Sequence, residues 1–209
     1  MRKKIIKFSV LPLLATFLLF GFSGKKDVSY KILAADLPEF YFVPVKSMVK
    51  PSAKTAPRLN KNYIGFREAV GFKESQGRYW IVNQFGYIGK YQFGKGTLKM
   101  LGIYNTEKFR NSPELQEAAF YANASRNKWI LRREIKKYVG TTINGVKITE
   151  SGILAAAHLA GPGGVKSYLR SGGRNYFSDA FGTTISSYLK KFQGYNTSNI
   201  VPNRLAKAH

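Results

Sequence analysis

The chain has 209 residues, of which 44% are hydrophobic and 14% aromatic, enough for one packed domain with flanking segments. It contains no cysteine, which excludes disulfides, thiolate metal sites and a cysteine nucleophile. The two histidines, His158 and His209, are too few for a histidine-rich metal site, and we expect no metal or other cofactor. The formal net charge of +23 favours a polyanionic partner: nucleic acid, an anionic membrane or an anionic cell wall.

The N-terminus has the pattern of a secretory signal peptide. A basic start is followed by an uncharged run at residues 8–24, and Gly21 and Ser23 supply the small residues of a cleavage site. The run has 17 residues, near the lower limit for a retained membrane anchor, but we favour cleavage that removes residues 1–23. That removes four basic and no acidic side chains and leaves a charge of +19. Export to the periplasm, cell envelope or outside makes anionic wall or membrane polymers the expected partners, rather than nucleic acid.

Residues 24–59 have the composition of a linker, because Pro38, Pro44, Pro51 and Pro57 recur in a polar background. We assign residues 60–195 to one domain and residues 196–209 to a loose basic tail. The predicted domain starts with a helix that begins near residue 60 and ends at Gly77. An aromatic and glycine-rich loop follows at residues 78–94, and then a short helix at residues 97–101.

Capping signals predict the remaining elements. Ser112 and Pro113 start a long helix that we expect to reach residue 138. An Asn-Gly pair predicts a hairpin within residues 142–147. Thr149 caps the next helix, which we expect to stop at residues 161–162. Short helices near residues 165–170 and 184–192 complete a mainly α domain with a minor β element, with Asp179 as the expected cap of the last helix.

Glu74 is the first candidate catalytic residue. It lies four residues after Val70 and eight after Phe66, so it shares their apolar helix face. A carboxyl group on that face is partly desolvated, and desolvation favours the protonated form that can donate a proton to a leaving oxygen. The alternative is a solvated glutamate at a helix end.

The loop after Glu74 is rich in residues suited to sugars. Aromatic rings stack on the C–H faces of sugars, and glycines allow the backbone to approach a ligand. The alternative is a loop that packs on its own core. The aromatic residues are Tyr79, Trp80, Phe85, Tyr87 and Tyr91.

Three ordered segments resemble the motifs of lytic transglycosylases and goose-type lysozymes. Residues 74–77 read Glu-Ser-Gln-Gly, residues 86–92 read Gly-Tyr-Ile-Gly-Lys-Tyr-Gln and residues 156–163 read Ala-Ala-His-Leu-Ala-Gly-Pro-Gly. The family patterns are Glu-Ser at a helix end, Gly-x-x-Gly-Leu-Met-Gln, and Ala-Ala-Tyr-Asn-Ala-Gly-Pro-Gly. The resemblance covers residues 60–195. It implies an α+β lysozyme-like fold with a small β-hairpin and a glycan-binding cleft, and cleavage of the β-1,4 bond between MurNAc and GlcNAc in peptidoglycan.

The resemblance also implies roles for individual residues. Glu74 matches the general acid/base, and Gln92 and the backbone of Gly89 match the lining of the glycan cleft. Tyr188 matches a late tyrosine that hydrogen-bonds the catalytic glutamate. Within the same motifs, Ser75 and Tyr91 are further candidate substrate contacts.

The chain departs from the family patterns in two motifs. Lys90 and Tyr91 replace Leu-Met, while His158 and Leu159 replace Tyr-Asn. His158 either hydrogen-bonds Glu74 or substrate, or is a core histidine satisfied by the backbone; we include it among the candidate substrate contacts. The missing asparagine removes a polar group, so substrate must be positioned differently there.

No partner carboxylate for Glu74 stands out. Glu68, six residues earlier, points roughly the opposite way, and Glu150 fits the first turn of a helix. The remaining glutamates look solvated or helix-capping: Glu107, Glu114, Glu117 and Glu134. We therefore favour a monomeric lytic transglycosylase with a single carboxylate. A non-catalytic or weakly catalytic peptidoglycan-binding protein is the alternative.

The long predicted helix also carries many basic side chains. They form either a solvated face or a surface that holds the protein on anionic wall polymers. The residues are Arg126, Lys128, Arg132, Arg133, Lys136 and Lys137.

Overall fold

The computed structural model describes residues 60–208 except Tyr176 and Ala180, so the predicted signal peptide and linker lie outside the described residues. The described chain is mainly helical, as predicted, with one small antiparallel sheet. None of its helices is both long and apolar enough to span a bilayer. The elements are α1 (Tyr63–Ser75), α2 (Lys95–Met100), α3 (Thr106–Asn111), α4 (Pro113–Ile130), α5 (Arg132–Tyr138), β1 (Thr142–Ile143), β2 (Val146–Lys147), α6 (Glu150–Arg170) and α7 (Ile185–Lys191).

Helix α1 brings its apolar face to the core and its C-terminal end to the candidate site. The Asn62 side chain accepts a hydrogen bond from the Gly65 amide and caps the start. Phe66 and Val70 are buried. Gln76, with φ of 60°, ends the helix in the left-handed conformation and turns the chain into the aromatic loop.

The aromatic loop at residues 78–94 is anchored by a glutamine of α4. Oε1 of Gln116 accepts from the Lys90 amide at 2.8 Å, and its Nε2 donates to the carbonyls of Tyr79 and Phe109. Gly89 has φ of +81°, and a Cβ there would lie 2.1 Å from Gln116 Oε1. Only glycine therefore fits this turn against the buried amide.

The single helix expected from residue 113 to 138 is two helices. Leu131 lies between α4 and α5 with φ of −94° and ψ of 7°, and its side chain is fully buried. The break redirects α5 onto α6, where Glu134 pairs with Arg170. Helix α3, whose start is capped by Asn105, was not predicted.

The hairpin was predicted correctly. β1 and β2 pair Thr142 with Lys147 and Ile143 with Val146. The turn residues have φ of 48° and 75°, the positive values that a two-residue turn requires. Thr149 caps α6 by accepting from the Gly152 amide, as expected.

The predicted stop at residues 161–162 is a kink within α6. Gly161 has φ of 68° and ψ of 164°, and the helix resumes at Pro162. The short helix expected at residues 165–170 is the second arm. Helix α6 packs chiefly against α7 and α4, so the kink lies next to the candidate site.

The start of α7 and the chain end differ from expectation. Thr184, not Asp179, caps α7 by accepting from the Ser187 amide. The segment from residue 196, expected to be loose, packs on the domain: Ile200 is fully buried and the Ala208 amide donates to the Leu101 carbonyl. Backbone pairing and one buried isoleucine outweigh the polar composition of this segment.

Candidate functional site

Glu74 and Tyr188 meet in a cavity of about 550 Å³. The Tyr188 hydroxyl donates to Glu74 Oε1 at 2.5 Å, although the two residues are 114 positions apart. Within the described residues, Glu74 Oε2 accepts no hydrogen bond and is available to a ligand. The structure thus joins the predicted acid/base to the late tyrosine.

Helix α7 buries the Tyr188 ring, which lies 5.1 Å from the ring of Phe192. Burial, the charge of Glu74 and the hydrogen bond to it all raise the pKa of Tyr188 far above its ordinary value of 10.0. At neutral pH the phenol therefore keeps its proton and is a donor to Glu74 Oε1.

Three other segments complete the wall of this first cavity. They are the aromatic loop, the region of the α6 kink and the segment before α7. The lining residues besides Glu74 and Tyr188 are Lys73, Asn83, Phe85, Tyr87, Gln92, His158, Leu159, Asp179, Phe181 and Thr183.

A second cavity of about 340 Å³ adjoins the first. The two share four lining residues: Tyr87, Gln92, His158 and Leu159. From there the second cavity extends along α4, past Asn123 and Arg126 to Ile130. Glu74 lines only the first of the two cavities.

Gln92 is a predicted substrate contact that lines both cavities. Its φ of 50° is positive, and its side-chain Nε2 donates to the Gly89 carbonyl at 2.8 Å. This bond fixes the amide against the loop. Gly89, whose backbone the resemblance placed in the cleft lining, is buried and lines neither cavity.

Two predicted substrate contacts point away from the cavities. Ser75 is 4% exposed; its Oγ donates to the Lys90 carbonyl at 2.8 Å and accepts from the Arg78 amide. Tyr91 is fully buried, and its hydroxyl donates to Glu117 Oε2 at 2.6 Å. Ser75 therefore ties α1 to the loop and Tyr91 belongs to the core, which corrects the assignment of both as substrate contacts.

His158 lines both cavities but does not contact Glu74. Its Nε2 lies 2.8 Å from the Tyr91 carbonyl and its Nδ1 lies 3.3 Å from Nδ2 of Asn123. Because a carbonyl only accepts, Nε2 carries the proton and Nδ1 accepts from the amide. Of the two alternatives for this histidine, the structure supports a ring held by the backbone, with one edge on the cavity wall.

Lys90, Glu68 and Glu117 form a charge cluster that was not predicted from the sequence. Lys90 is 2% exposed, and its Nζ donates to Glu68 Oε1 at 2.7 Å and to Glu117 Oε1 at 2.8 Å. Burial lowers the pKa of Lys90, but the hydrogen bonds to the two carboxylates outweigh burial and raise it. Tyr79 also donates to Glu117, at 2.7 Å.

Two glutamates expected to be solvated or helix-capping are therefore internal. Burial acts to raise the pKa of Glu117, but hydrogen bonds from Lys90, Tyr91 and Tyr79 outweigh it and hold the pKa below 4.5. Glu134 is 3% exposed and pairs with Arg170. The sequence contained one indication that a polar partner such as Glu117 lies inside: Lys90 and Tyr91 stand where the family pattern has the apolar pair Leu-Met.

A second carboxylate, Asp179, lines the same cavity as Glu74. Its Oδ1 accepts from the amides of Phe181 and Thr183 at 2.9 and 2.7 Å, so it organises the turn before α7. Sequence analysis placed this residue at the helix cap and missed the cavity. Across the described part of the chain, no group of three or more His, Asp or Glu is placed to hold a metal.

The aromatic loop is divided between core and cavity. Phe85 and Tyr87 line the first cavity and are about half exposed. Phe85 meets Phe181 edge to face at 5.4 Å, which joins the loop to the segment before α7. Tyr79 and Tyr91 point inward to Glu117, and Trp80 is 65% exposed away from both cavities.

The basic side chains of α4 and α5 have several environments. Lys128 pairs with Glu150 at 2.7 Å, and the Arg132 guanidinium lies 3.9 Å from the centre of the Trp129 ring. Arg126 lines the second cavity. The exposed remainder is Arg133, Lys136 and Lys137.

No family model, curated protein or solved structure matches this chain. Its function must be inferred from its own residues. The features that bear on function are a carboxylate held by a phenol hydroxyl, and two adjoining cavities lined by aromatic and amide side chains.

Proposed function

We propose that this protein is an exported enzyme that cleaves the β-1,4 bond between MurNAc and GlcNAc in peptidoglycan, with Glu74 as general acid/base. The observation that carries the proposal is the hydrogen bond from Tyr188 to Glu74 Oε1 inside the first cavity. The three ordered segments that resemble lytic transglycosylase motifs support it. In this proposal the domain is lysozyme-like, and the two cavities together form the glycan cleft.

The geometry suits a mechanism with one carboxylate. Tyr188 holds Oε1, so Oε2 of protonated Glu74 donates to the glycosidic oxygen as the bond breaks. The N-acetyl group of the substrate stabilises the cation that develops at the sugar. Glu74, now a carboxylate, then takes the proton of the 6-hydroxyl of the sugar that carries the cation. The oxygen of this hydroxyl bonds to the anomeric carbon of the same sugar. The product has a 1,6-anhydro end, no water is consumed and Glu74 recovers its proton.

The walls of both cavities offer contacts for a glycan. Phe85 and Tyr87 present aromatic rings to the first cavity, where sugar faces stack. Gln92 supplies an amide at the junction of the cavities. The exposed Arg133 and its neighbours on α5 add a basic surface for anionic wall or membrane polymers. We propose a monomer that does not use nucleic acid as a partner.

The departures in the third segment favour one alternative, a non-catalytic or weakly catalytic peptidoglycan-binding protein. Leu159 lines both cavities at the position where the family pattern has an asparagine, so an apolar group replaces an amide beside the proposed cleft. His158 is turned to the Tyr91 carbonyl instead of Glu74.

The test is digestion of purified peptidoglycan with the exported chain, followed by mass spectrometry of the released fragments. Anhydro ends are the expected products; reducing ends would indicate hydrolysis. Glu74→Gln should lower release at least ~100-fold, because it removes the proton donor. Glu107→Gln is the matched control, since Glu107 is exposed on α3. Full activity of Glu74→Gln would overturn the proposal, and no release by the parent chain would favour the binding protein.

A further inference from the structure

We propose that Arg126 binds a carboxylate carried by the MurNAc residues of the glycan, in the second cavity. This inference rests on the proposed function and specifies the substrate of the same cleft. It assigns to a residue of α4, far in sequence from the three motif-like segments, the recognition of a charged substituent.

Arg126 lies where a glycan that extends from Glu74 would pass. Arg126 lines the second cavity, which begins at the four residues shared with the cavity of Glu74. A glycan with one bond at Glu74 and its chain continuing along Gln92 and His158 therefore reaches α4. A substituent on a sugar in that part of the cleft meets Arg126.

The guanidinium group of Arg126 has hydrogen-bond donors that no described residue uses. Its Nη1 donates to the Arg204 carbonyl, which fixes the guanidinium. Its buried Nε has no acceptor in the described part of the chain but is shielded from a ligand, whereas its Nη2 is accessible and donates no hydrogen bond to the described residues. No carboxylate among residues 60–208, as far as they are described, lies within 4.0 Å of this side chain. An anchored guanidinium with unused donors is matched to a planar anion.

The surroundings of Arg126 are also positive. Trp129 lies on α4, the helix that carries Arg126. The guanidinium groups of Arg132 and Arg204 lie 3.9 and 5.3 Å from the centre of its ring. Lys207 donates to the carbonyl of Met100, itself part of the cavity wall. These charges favour an anionic substituent over a neutral one in the second cavity.

The chemistry of the glycan limits what the anion is. Its sugar rings are neutral, and its negative charge is carried by the lactyl group of MurNAc. That group ends either in a free carboxylate or in a peptide stem that bears carboxylates. Both are carboxylates on the same sugar, and the experiment separates them.

Binding to the Glu74→Gln chain tests the inference without turnover. Three ligands of equal length are compared by calorimetry: glycan with peptide stems, glycan stripped of stems by an amidase, and GlcNAc oligomers without carboxylates. Arg126→Gln in this background should weaken binding of at least one carboxylate-bearing ligand about 10–100-fold, as loss of a charge-assisted hydrogen bond does. It should leave GlcNAc oligomers unchanged. Loss only for the stem-bearing glycan assigns a stem carboxylate, and loss only for the stripped glycan assigns the lactyl carboxylate.

Arg174→Gln is the matched control, because it removes one charge from an exposed position after α6, outside both cavities, and should change no affinity. Arg126→Lys keeps the positive charge but lacks the planar guanidinium with its paired N–H donors. It should therefore bind the carboxylate-bearing ligands more tightly than Arg126→Gln and more weakly than the chain with Arg126. If Arg126→Gln proves unstable, binding to the unsubstituted Arg126 chain at rising salt replaces it: carboxylate-bearing ligands should weaken more steeply than GlcNAc oligomers.

Equal loss for charged and neutral ligands, or no loss for any, would overturn this inference and leave the proposed function standing. In the salt series, parallel weakening of all three ligands would do the same. Failure of every ligand to bind the Glu74→Gln chain would overturn the proposed function as well.

Discussion

Lys90 passes beneath α1 at Gly71. A Cβ on Gly71 would lie 2.7 Å from Cε and 2.9 Å from Cγ of Lys90, so the missing side chain leaves room for the lysine stem. The stem carries its ammonium to Glu68 and Glu117. The loop that carries Gln92 to the cavity wall is thus held to α1 and α4 by the ion pairs of Lys90 with Glu68 and Glu117.

Replacement of Lys90 should therefore destabilise the domain strongly. Lys90→Met keeps most of the stem and removes the charge, which leaves Glu117 internal without its principal donor. Loss of one partner of a buried pair costs about 3–5 kcal/mol of unfolding free energy. Urea unfolding followed by circular dichroism measures the change. Lys99→Met, exposed on α2, is the control, and equal stability of the two variants would contradict the role of the cluster.

The lowered pKa of Glu117 gives this cluster a pH dependence. A carboxyl group whose pKa is lower in the folded than in the unfolded chain contributes stability above its unfolded value, here near 4.5, and loses it as pH falls through the folded value. Unfolding free energy should fall from about pH 4.5 downward in the parent chain. Glu117→Gln should be less stable at neutral pH and show a shallower decline. Parallel pH curves for the two chains would show that Glu117 does not contribute.

Local signals predicted much of the fold. Caps such as Thr149 and the Asn144-Gly145 turn depend on neighbouring backbone, so they are readable from a few residues. The break at Leu131 is set by the packing of α5 on α6, and the docking of Ile200 by contacts with distant elements. Such long-range causes leave no periodic pattern in the sequence.

The candidate site was predictable in part for the same reason. The ordered motifs alone predicted that Glu74, Gln92 and His158 lie near one another. They did not reveal which side chains face inward, because positive φ at Gly89 and Gln92 reverses the loop and sends Tyr91 to the core. Arg126 belongs to no motif and was predicted only as one of six basic residues on the long helix; its place in the second cavity distinguishes it from the other five.

Tyr188 should act as a positioning residue for Glu74. Tyr188→Phe removes the donor to Oε1 and keeps the buried ring. We expect kcat for peptidoglycan cleavage to fall about 10–100-fold, with KM little changed, since the lost hydrogen bond is to a charged group. Tyr168→Phe is the matched control, because Tyr168 is buried in α6 outside both cavities. A rise in KM without a fall in kcat would indicate a substrate contact instead.

The pH profile separates this role from general loss of structure. Because burial and the charge of Glu74 raise the pKa of Tyr188, the phenol should not ionise in the working range, and the parent profile should show no tyrosine limb up to pH 10. Tyr188→Phe should therefore lower kcat without adding or removing a limb up to pH 10, whereas a merely unstable variant would lose activity in step with its circular dichroism signal. An alkaline limb that disappears in Tyr188→Phe would contradict a permanently protonated phenol.

Replacement of Asp179 should distinguish a mechanism with one carboxylate from a mechanism with two. Its Oδ1 already accepts two backbone hydrogen bonds in the turn before α7, and asparagine can accept the same pair. Asp179→Asn should therefore keep the turn and retain activity within about threefold, because single-carboxylate chemistry needs no second negative charge. Asp179→Ala serves as the comparison, since it breaks the turn and should reduce activity by displacing Phe181 and Thr183. If Asp179→Asn loses as much activity as Glu74→Gln while circular dichroism shows an intact fold, the cleavage uses a pair of carboxylates, and reducing ends should replace anhydro ends among the products of the parent chain.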